Sequence, residues 1–120
     1  MLKSKIHRAT VTEADLHYIG SITIDEKLME SAGIIQYEKV QILNITNGNR
    51  IDTYAIKGER DSGCIQINGA AAHHVKVNDL IIVVSYCQLN SNEIQSHEPK
   101  IVHVDSSNKI VSISSYEISI

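Results

Sequence analysis

Apolar residues along this chain recur mostly at every second position, in short runs separated by polar turns. Lys3 to Thr12 reads as a first strand, with Lys5, His7, Ala9 and Val11 on one face by the two-residue period. Ile22 to Ile24 is a short extended piece. The period then changes, because Leu28, Met29 and Ala32 form a helical stripe. Asp25 is a good N-cap for that helix, Ile24 on Met29 would staple its entry, and Gly33 can close it in a left-handed conformation. Lys39 to Ile45 predicts a strand, Thr46-Asn47-Gly48-Asn49 a tight hairpin, and Arg50 to Ile56 the return strand. That strand puts Arg50, Asp52 and Tyr54 on one face. Gly58 to Gly63 is a polar turn, and Cys64 to Asn68 alternates with Ile65 and Ile67 inward. Asn68 to Ala72 turns into a small-residue segment, and Val75 to Asp79 turns into Leu80 to Tyr86, an apolar run fit for a strand buried on both faces. Gln88 to Pro99 is a polar surface excursion. Lys100 to Val104 and Lys109 to Ser114 form a last hairpin across Asp105 to Asn108. Many short strands with one or two short helices indicate a mainly β fold, a small closed barrel.

Composition agrees with that reading. The 120 residues form a single domain by length and are 42% hydrophobic and 21% charged. With no Trp or Phe, the core must come from Ile, Val, Leu, Ala and a few Tyr, and β-branched residues favour strands. A net charge of −3 with interspersed signs offers no footprint for nucleic acid and no polybasic membrane patch. No apolar run reaches membrane length, and Met1 to Arg8 lacks a signal-peptide core, so a cytoplasmic protein is expected. Cys64 and Cys87 read as free thiols. There is no repeat, low-complexity tract or linker.

The candidate chemistry is sparse. His73 and His74 are adjacent and would face opposite ways on a strand, and His17, His97 and His103 have no ligand spacing, so no metal is expected. Ser21 follows Gly20, commonly just a turn element. The second glycine of a nucleophile elbow is missing, which disfavours a triad hydrolase. Gly20-Ser21 does permit attack of the hydroxyl on the preceding carbonyl, since a glycine adopts unusual backbone angles and has no Cβ in the way. Lys5 and Arg50 alone would be surface charges, and Tyr54 a core residue with its hydroxyl at the edge. Asn68-Gly69-Ala70-Ala71 reads as a turn whose backbone N–H groups an anion could reach.

Taken in order, these segments resemble bacterial pyruvoyl-dependent aspartate α-decarboxylases. The resemblance is carried by Lys5-Ile-His-Arg-Ala-Thr-Val-Thr12, Ala14-Asp-Leu-His-Tyr-Ile-Gly-Ser21, Ile24-Asp25 and Ala32-Gly33-Ile34. It continues through Asn44-Ile-Thr-Asn-Gly48, Arg50, Thr53-Tyr-Ala-Ile56 and Asn68-Gly-Ala-Ala-Ala-His73, with matching spacing as far as Tyr86. A Gly-Asp of the family's later turn is Asn78-Asp79 here, and Asn tolerates the left-handed conformation. A Trp of some members is Leu43.

The resemblance implies a small six-stranded double-psi β-barrel assembled as a homotetramer, with each active site near a subunit boundary. It implies self-cleavage between Gly20 and Ser21 into chains 1–20 and 21–120, with Ser21 becoming an N-terminal pyruvoyl cofactor in place of pyridoxal phosphate or a metal. An accessory maturation protein is not indicated. The substrate is L-aspartate, the products β-alanine and CO2, and the use pantothenate synthesis. By the same resemblance Thr53 donates to the oxyanion during cleavage, although strict alternation puts it on the face opposite Tyr54. A bulge or bend near position 53 is therefore expected. Tyr54 is the proton donor and Arg50 grips a substrate carboxylate. Lys5 is a second cation that His7 orients, Asn68 holds the reacting group, and Gly69, Ala70 and Ala71 offer backbone N–H groups. The rival reading is a double-psi barrel that binds a partner without catalysis, whose chain would stay uncut.

Overall fold

A computed structural model describes residues 1–116. Its elements, in chain order, are β1 (Leu2–Thr10), β2 (Glu13–Asp15), β3 (Ser21–Asp25), α1 (Glu26–Ala32), β4 (Lys39–Asn44) and β5 (Arg50–Gly58). They continue with β6 (Ile65–Asn68), a 3-10 helix (Gly69–His73), β7 (Leu80–Tyr86), α2 (Ser91–Ile94), β8 (Lys100–Val104) and β9 (Ile110–Ser114).

The strands order as β2-β6-β3-β5-β4-β7-β1-β8-β9. β2 is the continuation of β1 after only Val11 and Thr12, so the chain itself joins the two ends of a six-strand circuit. Thr12 N–H donates to the Ile65 carbonyl at 2.9 Å and Val11 N–H to the Asp79 carbonyl at 2.9 Å, which seals that corner. Within the circuit β3 with β5 and β2 with β6 are parallel, and the other pairings are antiparallel. Exchanging β1/β2, β3 and β4 with β5, β6 and β7 maps every pairing onto another of the same direction. This internal two-fold pattern is that of the expected mainly β, six-stranded double-psi barrel. β8 joins β1 in parallel outside the circuit, and β9 pairs with β8.

The core is β-branched, as the composition requires. Ile6, Ile22, Ile24, Ile42, Ile65, Ile67, Ile81 and Val83 are all fully buried. Asp25 caps α1 through Lys27 N–H and also accepts from Asp61 and Gly63 N–H, so one buried carboxylate holds the helix start and the β5–β6 turn. Gly33 ends α1 at φ 68°, and Asn78 sits at φ 74°, the left-handed conformation anticipated for it. None of the described helices is long and apolar enough to cross a membrane.

The first strand departs from strict alternation. Its register shifts between Ile6 and Ala9, with Arg8 at φ 63° in the bulge. Ser4 and Ile6 point inward before the bulge, and Ala9 and Val11 after it. Lys5 and His7 therefore do not share the face of Ala9 and Val11, because one inserted residue reverses the side-chain phase. The polar stretch after Gln88 also holds a one-turn helix, α2, closed by a capping box between Asn90 and Glu93.

Candidate active site

β3 begins at Ser21 and runs antiparallel to β6, with Ser21 opposite Asn68 and Thr23 opposite Gln66. Residues directly opposed, and residues two apart on a strand, share a face, so this register gathers four polar side chains. Asn68 is fully buried among them. Its Nδ2 donates to Ser21 Oγ at 2.9 Å and to Thr23 Oγ1 at 3.0 Å, and its Oδ1 accepts from Gln66 Nε2 at 2.7 Å. Both ends of the amide are engaged, which removes the penalty of burying it. Ser21, itself buried, donates from Oγ to the Ile19 carbonyl at 3.4 Å.

Gly69 fixes the approach of the chain before Ser21. It sits at φ 66°, and a Cβ built on it would lie 2.7 Å from Gly20 Cα and N and 2.9 Å from the Tyr18 carbonyl oxygen. Only glycine fits there. At Gly20 the expectation changes: its φ is not positive, and a Cβ would meet nothing within 4 Å. The need for glycine thus rests, in the uncut chain, on Gly69.

A cleft of about 390 Å³ opens beside these residues, lined by Gly20, Thr53, Tyr54, Ala70 and Ala71. Asp52 and His74 also line it, neither of them anticipated. No bulge reconciles Thr53 with Tyr54, since the β4–β5 register is unbroken from Tyr54 opposite Lys39 to Arg50 opposite Leu43. The reason is a change of partner. β5 pairs with β3 only from Ala55 onward, so the stretch before it has an edge outside that ladder. Side chains from both faces of β5 border the cleft along this edge.

Three of the anticipated residues stand apart. Arg50 is exposed at the start of β5 and does not line the cleft. Lys5 lies on β1 between Val84 and Ile101, and the His7 ring makes an edge contact with His103 at 5.5 Å, in another groove. Gln66 and Thr23 were not anticipated. Their signal was the two-residue period, which puts Thr23 beside Ser21 and Gln66 beside Asn68. Among the described residues, no three His, Cys, Asp or Glu gather as a metal-binding group.

The family model described as aspartate decarboxylase matches residues 1–111. The aspartate 1-decarboxylase of Caldicellulosiruptor saccharolyticus is 62% identical over 117 residues, covering 98% of this chain and 91% of that one. Those of Clostridium kluyveri and Neisseria meningitidis are 56% and 57% identical, again over 98% of this chain and 92% of each relative. The chain belongs to the aspartate decarboxylase family.

Proposed function

We propose that this chain cuts itself between Gly20 and Ser21, turns Ser21 into a pyruvoyl group, and with it decarboxylates L-aspartate to β-alanine and CO2. The observation that carries this reading is the buried Ser21 directly after Gly20, its Oγ held by Asn68 at the edge of a cleft. The start of β3 suits a small planar group there. Asn68 offers an N–H at the Oγ position, Gly69 leaves no Cβ against Gly20, and Ala70 and Ala71 leave the cleft open. Such a group supplies the electron sink that decarboxylation needs.

In cleavage, Ser21 Oγ attacks the Gly20 carbonyl carbon, and Thr53, across the cleft, is the donor to the resulting oxyanion. In turnover, the Tyr54 hydroxyl holds the proton delivered to the substrate carbon. Arg50 binds the β-carboxylate as a bidentate pair. A cation on the departing α-carboxylate would stabilise the ground state and oppose the reaction. Lys5 is the second cation, oriented by His7, and the backbone of Gly69 to Ala71 faces the substrate.

Because Arg50, Lys5 and His7 lie outside their own chain's cleft, we assign the complete site to a homotetramer in which a neighbouring copy brings them in. Leu16, Tyr18 and Ile19 stand exposed just before the cut, an apolar patch that a second copy would cover. The enzyme belongs in the cytoplasm, feeding β-alanine to pantothenate synthesis. The partner-binding barrel is not favoured, since the family match spans nearly the whole chain.

The deciding test follows release of labelled CO2 from aspartate, glutamate and ornithine by wild type and Ser21→Ala. Aspartate alone should react, and only with wild type. CO2 release by Ser21→Ala at the wild-type rate would exclude the pyruvoyl reading.

A further inference from the structure

Gln66 has no role in the scheme above, yet it is bonded to the buried amide that holds Ser21. We infer that Gln66 is a positioning residue for self-cleavage: its side-chain N–H holds the Asn68 oxygen and so supports the amide orientation in which an N–H faces Ser21 Oγ. This rests on the self-cleavage proposed above.

An Asn amide has two orientations of nearly equal shape, with donor and acceptor ends exchanged. Thr23 can donate or accept and does not choose between them, but Ser21 directs its one proton to the Ile19 carbonyl and so accepts from Asn68. Gln66 answers the other end of the amide: its Nε2, 2.7 Å from Asn68 Oδ1, donates to the oxygen that this orientation turns toward it. The two N–H bonds of Asn68 then fall on Ser21 Oγ at 2.9 Å and Thr23 Oγ1 at 3.0 Å. The strand register builds this arrangement, with Gln66 opposite Thr23 and two residues before Asn68.

Orientation matters because negative charge collects on Oγ. In the first step Oγ bonds to the Gly20 carbonyl carbon, the bond from that carbon to the Ser21 nitrogen breaks, and the Oγ proton ends on that nitrogen. An ester results. In the second step the Ser21 Cα proton passes to solvent, its electron pair forms the Cα–Cβ double bond, and Oγ leaves as an oxygen of the Gly20 carboxylate. Water then replaces the nitrogen, which departs as ammonia. An N–H at 2.9 Å stabilises Oγ in both steps, whereas an amide oxygen in its place would repel it.

The test follows the cleavage time course of freshly purified wild type, Gln66→Leu and Gln66→Glu by denaturing mass spectrometry, with thermal unfolding as a check on folding. Gln66→Leu should cut about tenfold more slowly, the order of one lost orienting hydrogen bond. Gln66→Glu should be slower still near neutral pH, since a carboxylate only accepts and so turns the Asn68 N–H groups away from Ser21. Protonating the introduced carboxyl restores a donor. The ratio of Gln66→Glu to wild-type rate should therefore climb between about pH 8 and about pH 5. A merely structural role predicts no such climb. Equal rates in all three chains, or a ratio flat with pH, would overturn the inference. Should Gln66→Leu fail to fold, the pH ratio of Gln66→Glu decides alone. A wild type that never cuts would remove self-cleavage itself and this role with it. A wild type that cuts beside unaffected variants removes only the role of Gln66.

Discussion

Gly69 and Arg50 mark the two kinds of demand this fold places on single residues, one steric and one chemical. A Cβ at Gly69 would meet backbone atoms of Gly20 at 2.7 Å, and backbone cannot swing aside as a flexible side chain can. Gly69→Ala should cost about 1–3 kcal/mol in stability from the positive φ and the clash. It should also slow cleavage by displacing residues 18–20, and urea unfolding with a cleavage time course measures both. Arg50 carries no such steric duty, being exposed at the start of β5. Arg50→Ala should cut normally yet lose nearly all kcat/KM for aspartate, and near-normal turnover would defeat its assignment to the substrate. Much of the site could be read from the sequence, because Gly20-Ser21, Thr53-Tyr54 and Asn68-Gly69-Ala70-Ala71 are contiguous segments. Gln66 and Thr23 could not be read that way. A Gln and a Thr acquire meaning only when the β3–β6 register sets them against Asn68.

At the level of elements, polar side chains tie together what the ladders leave separate. Glu38 precedes β4 and binds Lys3 Nζ of β1 through both oxygens at 3.0 Å, while Lys3 also donates to the Gly33 carbonyl that ends α1. Ser85 of β7 and Ile35 N–H donate to the same carboxylate. Burial pushes the Glu38 carboxyl up, but the hydrogen bonds from Ser85, Lys3 and Ile35, with the Lys3 charge, outweigh it and hold it below its ordinary 4.5. A depressed carboxyl adds stability above its unfolded value and loses it as pH falls through the folded one. Wild type should therefore lose stability below about pH 4.5 more steeply than Glu38→Gln, and urea midpoints across that range measure the difference. Strand positions were legible where alternation was regular, as in β6, and where an apolar run marked a buried strand, as in β7. Two features escaped it, the Arg8 bulge and the change of partner along β5, since both depend on where another strand ends.

For the whole molecule, the proposed cut falls where the chain is least needed to hold the barrel together. Residues 16–20 link β2 to β3 across the surface, and Leu16, Tyr18 and Ile19 are exposed. Breaking the bond after Gly20 leaves every ladder of the six-strand circuit in place. The small fragment, 1–20, carries β1 and β2, of which β1 lies between two other strands. β1 is flanked by β7 and β8, and β2 pairs with β6. Ile6, Ala9 and Val11 of this fragment are fully buried in the shared core. Removing it would expose those side chains, at roughly 1.5–3 kcal/mol for each large one, and unpair strands on both sides. The fragment should therefore stay bound after cleavage. A denaturing mass spectrum should show a piece ending at Gly20 and one beginning at position 21, the latter lighter by one ammonia than hydrolysis alone would leave it. A native spectrum of the same sample should show both pieces in one particle, at four copies of each. Free small fragment under native conditions would contradict the role of β1 as an interior strand. An intact chain after prolonged warm incubation would contradict self-cleavage, and four-fold assembly of uncut chain would then show that the barrel assembles without it.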